Sequence, residues 1–353
     1  MKFFKKYYPL IFIVILTFFS LLNNYNARYI HSMYSHNFLK QTLFFAIGYI
    51  FIFLFSFINE KKFFNNHFVY YIISAILLFL VLFFGTEVNG AKAWFNFNFF
   101  SFQPSELMKF TLAISLTKIT TDFNNSKNKN DILFLSKITL LTLIPSILVF
   151  VEPDTGAIIF YFLIFITSFF FSKIKRRWII IFLITFFSSI FFFVYIYFFN
   201  TDLLINLLGT SFFYRVDRII NISDNYQINN AITLIGSRDF FENNLGNTSL
   251  YIPEAPTDFM FAYNFGNFGL FGALCVLISY FLLILSILLQ TKKSNNKLYK
   301  YMFIWMLTFG VFYNILMNIG LLPIMGIALP FLSYGGSSIL IYFLFLGLYF
   351  KTI

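Results

Sequence analysis

The sequence predicts an all-α polytopic membrane protein with about ten transmembrane helices, and three observations carry this prediction. The chain of 353 residues is 59% hydrophobic and 11% charged, with a mean hydropathy of +0.79, whereas soluble domains carry about 25% charged residues. The apolar residues gather in runs close to the roughly 20 residues that a helix needs to cross the hydrocarbon core. Lysines and arginines cluster between these runs, as they do beside the spans of membrane proteins.

Ten apolar runs define the predicted spans. They cover residues 8–22, 38–58, 68–84, 106–119, 133–151, 157–172, 178–199, 258–289, 298–317 and 335–350. No small-residue cleavage site follows the first run, so it predicts an uncleaved anchor rather than a signal peptide. A polar segment of about residues 200–257 separates the seventh run from the eighth, and we expect the chain, 1–353, to form one transmembrane domain.

The charge distribution predicts the orientation of the chain. With the N-terminus placed inside and the spans alternating, 18 of the 25 lysines and arginines fall inside and 11 of the 14 acids fall outside. This pattern follows the positive-inside rule, so both termini are expected in the cytoplasm and segment 200–257 outside. The net charge of +11 then needs no nucleic-acid partner. One cysteine, Cys275, and three scattered histidines suggest neither an internal disulfide nor a structural metal site.

The first stretch with chemically useful side chains is Gln103–Lys109, at the start of the fourth span. Pro104 suits the first helical turn, and Glu106 suits the positive end of the helix dipole. Glu106 and Lys109 lie three residues apart on one helix face, where they can pair. Such a pair either neutralises two charges at the membrane edge or holds a substrate.

A second stretch, Glu152–Gly156, interrupts the chain between two spans with a proline, a glycine and two acids. Irregular backbone at membrane depth is tolerated only where protein buries it or water reaches it. Asp154 is therefore expected either to face a cavity or to cap the helix that follows.

The outer segment carries a further group of polar candidates. Arg215 and Arg218 stand against the general charge bias, which suggests either an anionic partner such as a pyrophosphate or pairing with nearby acids. Gln227 and Ser237 follow them in the same segment.

Asp258 lies where the polar segment meets the eighth span. A carboxylate in a partly apolar cleft holds its proton more tightly, which suits a general base near neutral pH. The alternative is an N-cap for the helix that begins there.

The last stretch, Gly320–Ser337, is rich in glycine and proline. It predicts either a looped segment that lines a cavity, with Ser333 and Tyr334 in it, or an ordinary interhelical loop.

In this order, these stretches resemble the motifs of the SEDS family (shape, elongation, division and sporulation proteins, the RodA/FtsW group). Family members carry Gly-Ala-Lys/Arg-x-Trp, Gln-Pro-Ser-Glu-Leu, Gln-Pro-Asp-x-Gly, Tyr-Gln, Ile-Gly-Ser, Thr-Asp-Phe and Ser-Tyr-Gly-Gly-Ser-Ser motifs. The similar stretches here are residues 90–94, 103–107, 152–156, 226–227, 235–237, 253–262 and 320–338. The chain departs from the family pattern at Glu152, Arg238-Asp239, Pro256 and Gly266-Asn267.

The resemblance implies a peptidoglycan glycosyltransferase of the bacterial cytoplasmic membrane. Such proteins polymerise lipid II at the outer face, together with a class B penicillin-binding protein, during cell elongation or division. The resemblance gives Asp258 the role of deprotonating the 4-hydroxyl of the acceptor sugar. Lys109, Arg215, Arg218 or a divalent cation (Mg²⁺ or Mn²⁺) would then stabilise the leaving diphosphate. The short termini favour the RodA group, whereas residues 244–249 resemble FtsW as much as RodA.

Two other functions compete with this interpretation. A lipid II flippase would need charged groups deep in the bilayer, along a path across it. A scaffold of the elongation or division machinery would not require Asp258. The acids gather at the outer ends of the predicted spans, which favours an enzyme.

Overall fold

The computed structural model describes residues 6–88, 90–97, 100–210, 225–241, 252–291 and 297–352. Helices make up most of these residues, and three short strands lie between the fourth and fifth helices. The helices are α1 (Pro9–Ala27), α2 (Asn37–Phe55), α3 (Glu60–Asn65), α4 (His67–Phe84), α5 (Pro104–Asn125), α6 (Asp131–Val151), α7 (Thr155–Phe171), α8 (Arg176–Phe199), α9 (Thr201–Leu208), α10 (Tyr226–Gly236), α11 (Met260–Thr291), α12 (Lys297–Asn318) and α13 (Gly336–Lys351). The strands are β1 (Thr86–Val88), β2 (Ala91–Asn96) and β3 (Ser101–Phe102).

Each of the ten predicted spans coincides with most of one helix. Within the described residues, seven helices have the length and apolar composition of a membrane span. Helices α7 and α13 are apolar but shorter. The polytopic helical fold is therefore confirmed, while the count of ten spans and the orientation stay predictions from the sequence.

Asparagine side chains mark the start of several helices. Asn59, Asn130, Asn200 and Asn225 each accept a hydrogen bond from a backbone N–H of the helix that follows. In α6, for example, Asn130 Oδ1 lies 3.1 Å from the N–H of Leu133. Such an N-cap satisfies an otherwise unpaired donor and is worth about 1 kcal/mol. The asparagine-rich connections thereby fix where these helices begin.

Glycines bring α2 and α13 into close contact. A Cβ atom on Gly48 would lie 2.3 Å from the Phe343 ring, and one on Gly336 would lie 2.4 Å from the Phe44 ring. Small residues let membrane helices approach closely. This contact fixes the first residue of α13, which directly follows the loop that contains Ser333 and Tyr334.

A small antiparallel sheet lies between α4 and α5, and the all-α prediction did not include it. Its strand order is β1-β2-β3. Lys92 Nζ donates to the carbonyl of Phe83 at 2.9 Å, which ties the sheet to the end of α4. Strands this short show too few alternations of apolar and polar residues to be told from a loop in the sequence.

Helix α8, described over all 24 of its residues, has none of them buried. Aromatic rings make its contacts with α7: the Phe182 ring lies 6.0 Å from Phe165 and 4.7 Å from Phe169, measured between ring centroids. A helix that is apolar on all sides is suited to a lipid environment.

Helix α11 breaks at Gly269, where φ is 64° and ψ is −160°. The break leaves the next two backbone amides without helical acceptors. Instead, the N–H of Leu270 donates to the carbonyl of Asp239 at 3.1 Å, and that of Phe271 donates to the carbonyl of Phe240 at 3.0 Å. Non-helical backbone at this depth needs such partners. The outer segment after α10 thus stabilises the break and separates the first turns of α11 from the rest.

Candidate active site

Asp258 lies in a tight turn that precedes α11. Glu254 adopts a left-handed backbone conformation in this turn, with φ of 56°. The hydroxyl of Thr257 donates to the Glu254 carbonyl at 3.0 Å and to Glu254 Oε2 at 2.8 Å. The N–H of Phe259 also donates to the Glu254 carbonyl, at 3.3 Å. Hydrogen bonds within the turn therefore help to fix its conformation.

Two other segments hold three successive carbonyls of this turn. The Pro256 carbonyl accepts from the N–H of Tyr334 at 2.7 Å, and the Thr257 carbonyl accepts from the Ser333 hydroxyl. The Asp258 carbonyl accepts from the side-chain amides of Asn314 and Asn318 in α12, at 2.8 and 3.2 Å. These bonds fix the position of the Asp258 backbone.

The described residues leave the carboxylate of Asp258 free. Among the described residues, every hydrogen bond to Asp258 from another side chain goes to its carbonyl, and no ion pair involves it. The side chain is half-buried. Burial, with the nearby carboxylates of Glu254 and Asp154, raises the pKa of Asp258 to about 7. The group can therefore gain or lose a proton near neutral pH.

Asp154 joins the starts of α5 and α7. Its Oδ1 accepts from the N–H of Ala157 at 3.2 Å and so caps α7. Its Oδ2 accepts from Gln103 Nε2 at 2.8 Å and from the Ser105 hydroxyl at 2.9 Å. The helix cap expected from the sequence is present, and the same carboxylate lines a cavity of about 30 Å³, enough for water.

Glu106 and Lys109 form the ion pair that their spacing predicts. Lys109 Nζ lies 2.6 Å from Glu106 Oε1, with only 7% and 13% of the two side chains exposed. The ammonium group also lies 4.2 Å from the centre of the Phe160 ring. Both side chains line the same cavity as Asp154. A buried cation is therefore held beside the carboxylate that acts electrostatically on Asp258.

The loop before α13 lines the cavity from the other side, as the looped interpretation of this stretch predicts. Gly326, Ile327 and Ala328 contribute to the lining, and Gly326 has a positive φ of 64°. Asn314 Nδ2 donates to the Ile327 carbonyl at 2.8 Å as well as to Asp258. One asparagine of α12 thus connects this loop to the Asp258 turn.

Gln227 and Ser237, also predicted as site residues, make hydrogen bonds within their own segment. The N–H of Gln227 donates to Asn225 Oδ1 at 3.0 Å, and the Ser237 hydroxyl donates to the Leu234 carbonyl at 3.1 Å. None of these bonds reaches the Asp258 turn. Arg215 and Arg218 lie outside the described residues.

Among the described residues, no three or more His, Cys, Asp or Glu side chains are grouped so that they could hold a metal ion. The buried positive charge in the described site is Lys109.

Sequence reasoning missed Asn314 and Asn318, the two side chains that hold the Asp258 carbonyl. Both are fully buried on α12, four residues apart on one helix face. The signal was present, because buried amides in a membrane helix are expensive unless they are hydrogen-bonded. Their partner could not be read from the chain, since Asp258 lies 56 and 60 residues away.

A bundle of apolar helices that fixes the Asp258 backbone and buries the Glu106–Lys109 pair defines a polytopic membrane protein with a candidate active site. The chain belongs to the family of cell cycle proteins that comprises FtsW, RodA and SpoVE, whose sequence profile matches residues 6–352. This confirms the SEDS resemblance. As a multi-span helical member of this family, the protein is located in the bacterial cytoplasmic membrane.

Two proteins named FtsW are among those similar to this chain. The probable peptidoglycan glycosyltransferase FtsW of Buchnera aphidicola (subspecies Schizaphis graminum) is 30% identical over 325 residues, which are 86% of this chain and 87% of that protein. FtsW of Wigglesworthia glossinidia brevipalpis, described in the same words, is 29% identical, over 81% of this chain and 75% of that protein.

Solved structures support the fold. A chain of a peptidoglycan synthase complex that coordinates polymerisation and crosslinking matches with a TM-score of 0.79 at 23% identity, over 98% of this chain and 96% of that one. The rod shape determining protein RodA of Thermus thermophilus matches with a TM-score of 0.67 at 23% identity, over 98% of this chain and 95% of that one.

Proposed function

We propose that this chain is a peptidoglycan glycosyltransferase that polymerises lipid II at the outer face of the cytoplasmic membrane. The names of its relatives support this activity. One structural observation supports it most strongly: the turn before α11 is held by its backbone, while the described residues leave the Asp258 carboxylate free. A general base requires this combination of a fixed position and an available proton acceptor.

In the proposed reaction, Asp258 removes the proton from the 4-hydroxyl of the acceptor sugar. The oxygen attacks the anomeric carbon of the donor, and the bond from that carbon to undecaprenyl pyrophosphate breaks with inversion. The leaving diphosphate takes the bonding electrons, and Lys109 is the described cation suited to stabilise it. Arg215 and Arg218 are further candidates for this role.

The other polar residues have supporting roles in this proposal. Ser333 and Tyr334 fix the Asp258 turn, through the serine hydroxyl and the tyrosine backbone N–H. Glu106 keeps Lys109 oriented, and Asp154 fixes the start of α7 beside the cavity. We propose that Gln227 and Ser237 contact the substrate from the outer segment.

We propose that the enzyme works with a class B penicillin-binding protein. A solved relative of this fold belongs to a peptidoglycan synthase complex. The physiological role is cell elongation or cell division. The similarity to the rod shape determining protein RodA supports a role in elongation, and the relatives named FtsW support a role in division.

The deciding experiment is polymerisation of labelled lipid II by the purified full-length chain, with and without a class B penicillin-binding protein. We expect glycan strands that lengthen with time. A folded protein that binds its partner yet forms no strands in any condition would contradict the proposal. It would favour the flippase if labelled lipid II crosses vesicle membranes, and the scaffold if it does not.

The initial rate of polymerisation is expected to rise as the pH increases through about 7, because the Asp258 pKa is raised to about 7 and the base must be deprotonated. Initial rates measured over a pH series check this. Thermal unfolding in the same buffers separates ionisation from loss of folding. A rate that does not change through this range would contradict the assignment of Asp258 as the base.

Asn318→Ala is expected to lower kcat about tenfold with little change in KM, because a displaced catalytic group loses rate steeply. The side chain donates to the Asp258 carbonyl and accepts from the N–H of Ala262 at 3.0 Å. Asn24→Ala is the matched control, since Asn24 is equally buried but donates within its own helix, to Ser20. Equal loss of rate in both variants would contradict a positioning role for Asn318.

A further inference from the structure

The turn between α6 and α7 contains a second acid, Glu152, which has no role in the proposed reaction. Its N–H donates to the Leu148 carbonyl at 3.2 Å, and the N–H of Asp154 donates to the Val149 carbonyl at 3.2 Å. These bonds hold Glu152 and Asp154 in one compact turn.

Glu152 is 1% exposed, and neither of its carboxyl oxygens has a hydrogen-bond partner among the described residues. A carboxylate that is buried without a partner is strongly disfavoured, and the group takes up a proton instead. Burial and the charge of Asp154 raise the pKa of Glu152 to about 8. At neutral pH, the carboxyl group of Glu152 is therefore uncharged.

The charged and titratable groups on the neighbouring helices do not compensate Glu152. On α5, Lys109 is paired with Glu106. On α7, the Tyr161 hydroxyl donates to the Ser105 carbonyl, and on α4 the Tyr71 hydroxyl donates to the Leu141 carbonyl. Among the described residues, no ion pair includes Glu152.

We propose that Glu152 is a proton-bearing positioning residue, which keeps the turn around Asp154 folded only while its carboxyl group is neutral. When Glu152 ionises, its negative charge lies in the same buried turn as that of Asp154, and movement of the turn towards solvent lowers the repulsion between them. That movement separates Asp154 from Gln103 and Ser105, which hold it against α5. Polymerisation then falls although Asp258 is in its active form. This inference rests on the proposed function.

The test compares wild type with Glu152→Gln, which has the same shape but cannot ionise. Initial rates of lipid II polymerisation by the full-length chain are measured over a pH series. We expect the wild-type rate to fall as the pH rises through about 8, to about a tenth of the Glu152→Gln rate one pH unit higher, as for a single ionisation. Glu152→Gln is expected to keep its plateau rate. Glu87→Gln, at an exposed glutamate in β1, is the matched control and should fall with wild type.

Three outcomes would overturn the inference: a Glu152→Gln rate that falls together with wild type, a wild-type rate that does not fall, or a folded Glu152→Gln protein that is inactive at every pH.

Thermal unfolding gives a second, independent measurement. A carboxyl whose pKa is raised by folding destabilises the protein progressively as the pH rises from its ordinary value to about 8. Wild type should therefore unfold at increasingly lower temperature than Glu152→Gln over that range. If no variant forms strands, the proposed function fails, and this measurement still decides the state of Glu152. Unfolding temperatures of wild type and Glu152→Gln that change with pH in parallel would overturn the inference.

Discussion

Asp258→Asn is expected to reduce lipid II polymerisation at least about a hundredfold, because a positioned general base contributes about 10²–10⁴ to the rate. Asparagine keeps the shape of the side chain but cannot accept the proton of the acceptor hydroxyl. The backbone bonds from Asn314, Asn318 and Ser333 do not involve the side chain, so the turn should stay folded. Gel separation of labelled glycan strands measures the loss.

Asp202→Asn is the matched control for this substitution. Asp202 is exposed in the first turn of the short helix α9, and Asp202→Asn is the same chemical change outside the site. Both variants should unfold at temperatures close to that of wild type and bind the penicillin-binding protein equally. Wild-type strand formation by Asp258→Asn would exclude Asp258 as the base and would favour a different acceptor for the proton.

Asp154→Asn is expected to have the second largest effect, a loss of about tenfold to a hundredfold in kcat, because small displacements in an active site are this costly. Asp154 Oδ2 accepts two hydrogen bonds, from Gln103 and Ser105. An amide at this position can keep the cap of α7 only with its NH₂ group towards Gln103 and Ser105, and both of those bonds must then reverse direction. The start of α7 should then move relative to α5, and the cavity beside Lys109 with it.

The pH dependence distinguishes this effect from a general loss of packing. The negative charge of Asp154 helps to raise the pKa of Asp258, so removing the charge should lower that pKa. The pH at which the remaining activity of Asp154→Asn reaches half of its maximum should therefore be lower than in wild type. Asp131→Asn is the control, since Asp131 is a buried acid at the start of α6. An Asp154→Asn enzyme with the wild-type rate and pH midpoint would contradict this role.

Much of the fold follows from the sequence, because membrane helices are set by local composition. Each of the ten apolar runs coincides with a helix, and the Glu106–Lys109 pair and the Asp154 cap form at the spacing that predicted them. These features depend on residues within one turn of each other. Local physical chemistry is sufficient to predict them.

The features that the sequence did not reveal depend on residues far apart along the chain. The bonds from Asn314 and Asn318 to Asp258 join α12 to a turn 56 and 60 residues away. The break of α11 at Gly269 takes its partners from Asp239 and Phe240, in a segment that was predicted only as an outer loop. Such pairings depend on how the helices pack, and apolar periodicity carries no information about them.

The attachment of the Asp258 turn to α12 also determines how fast the base can move. Free loops rearrange in nanoseconds to microseconds, whereas packed helices shift in microseconds to milliseconds. Three carbonyls of the turn are bonded to α12 and to the loop before α13, so Asp258 must follow the slower motion. On the timescale of free-loop motion, the backbone of Asp258 is therefore effectively stationary, and only its side chain can rotate faster. Changes in the position of that backbone can accompany only slow movements of the packed helices.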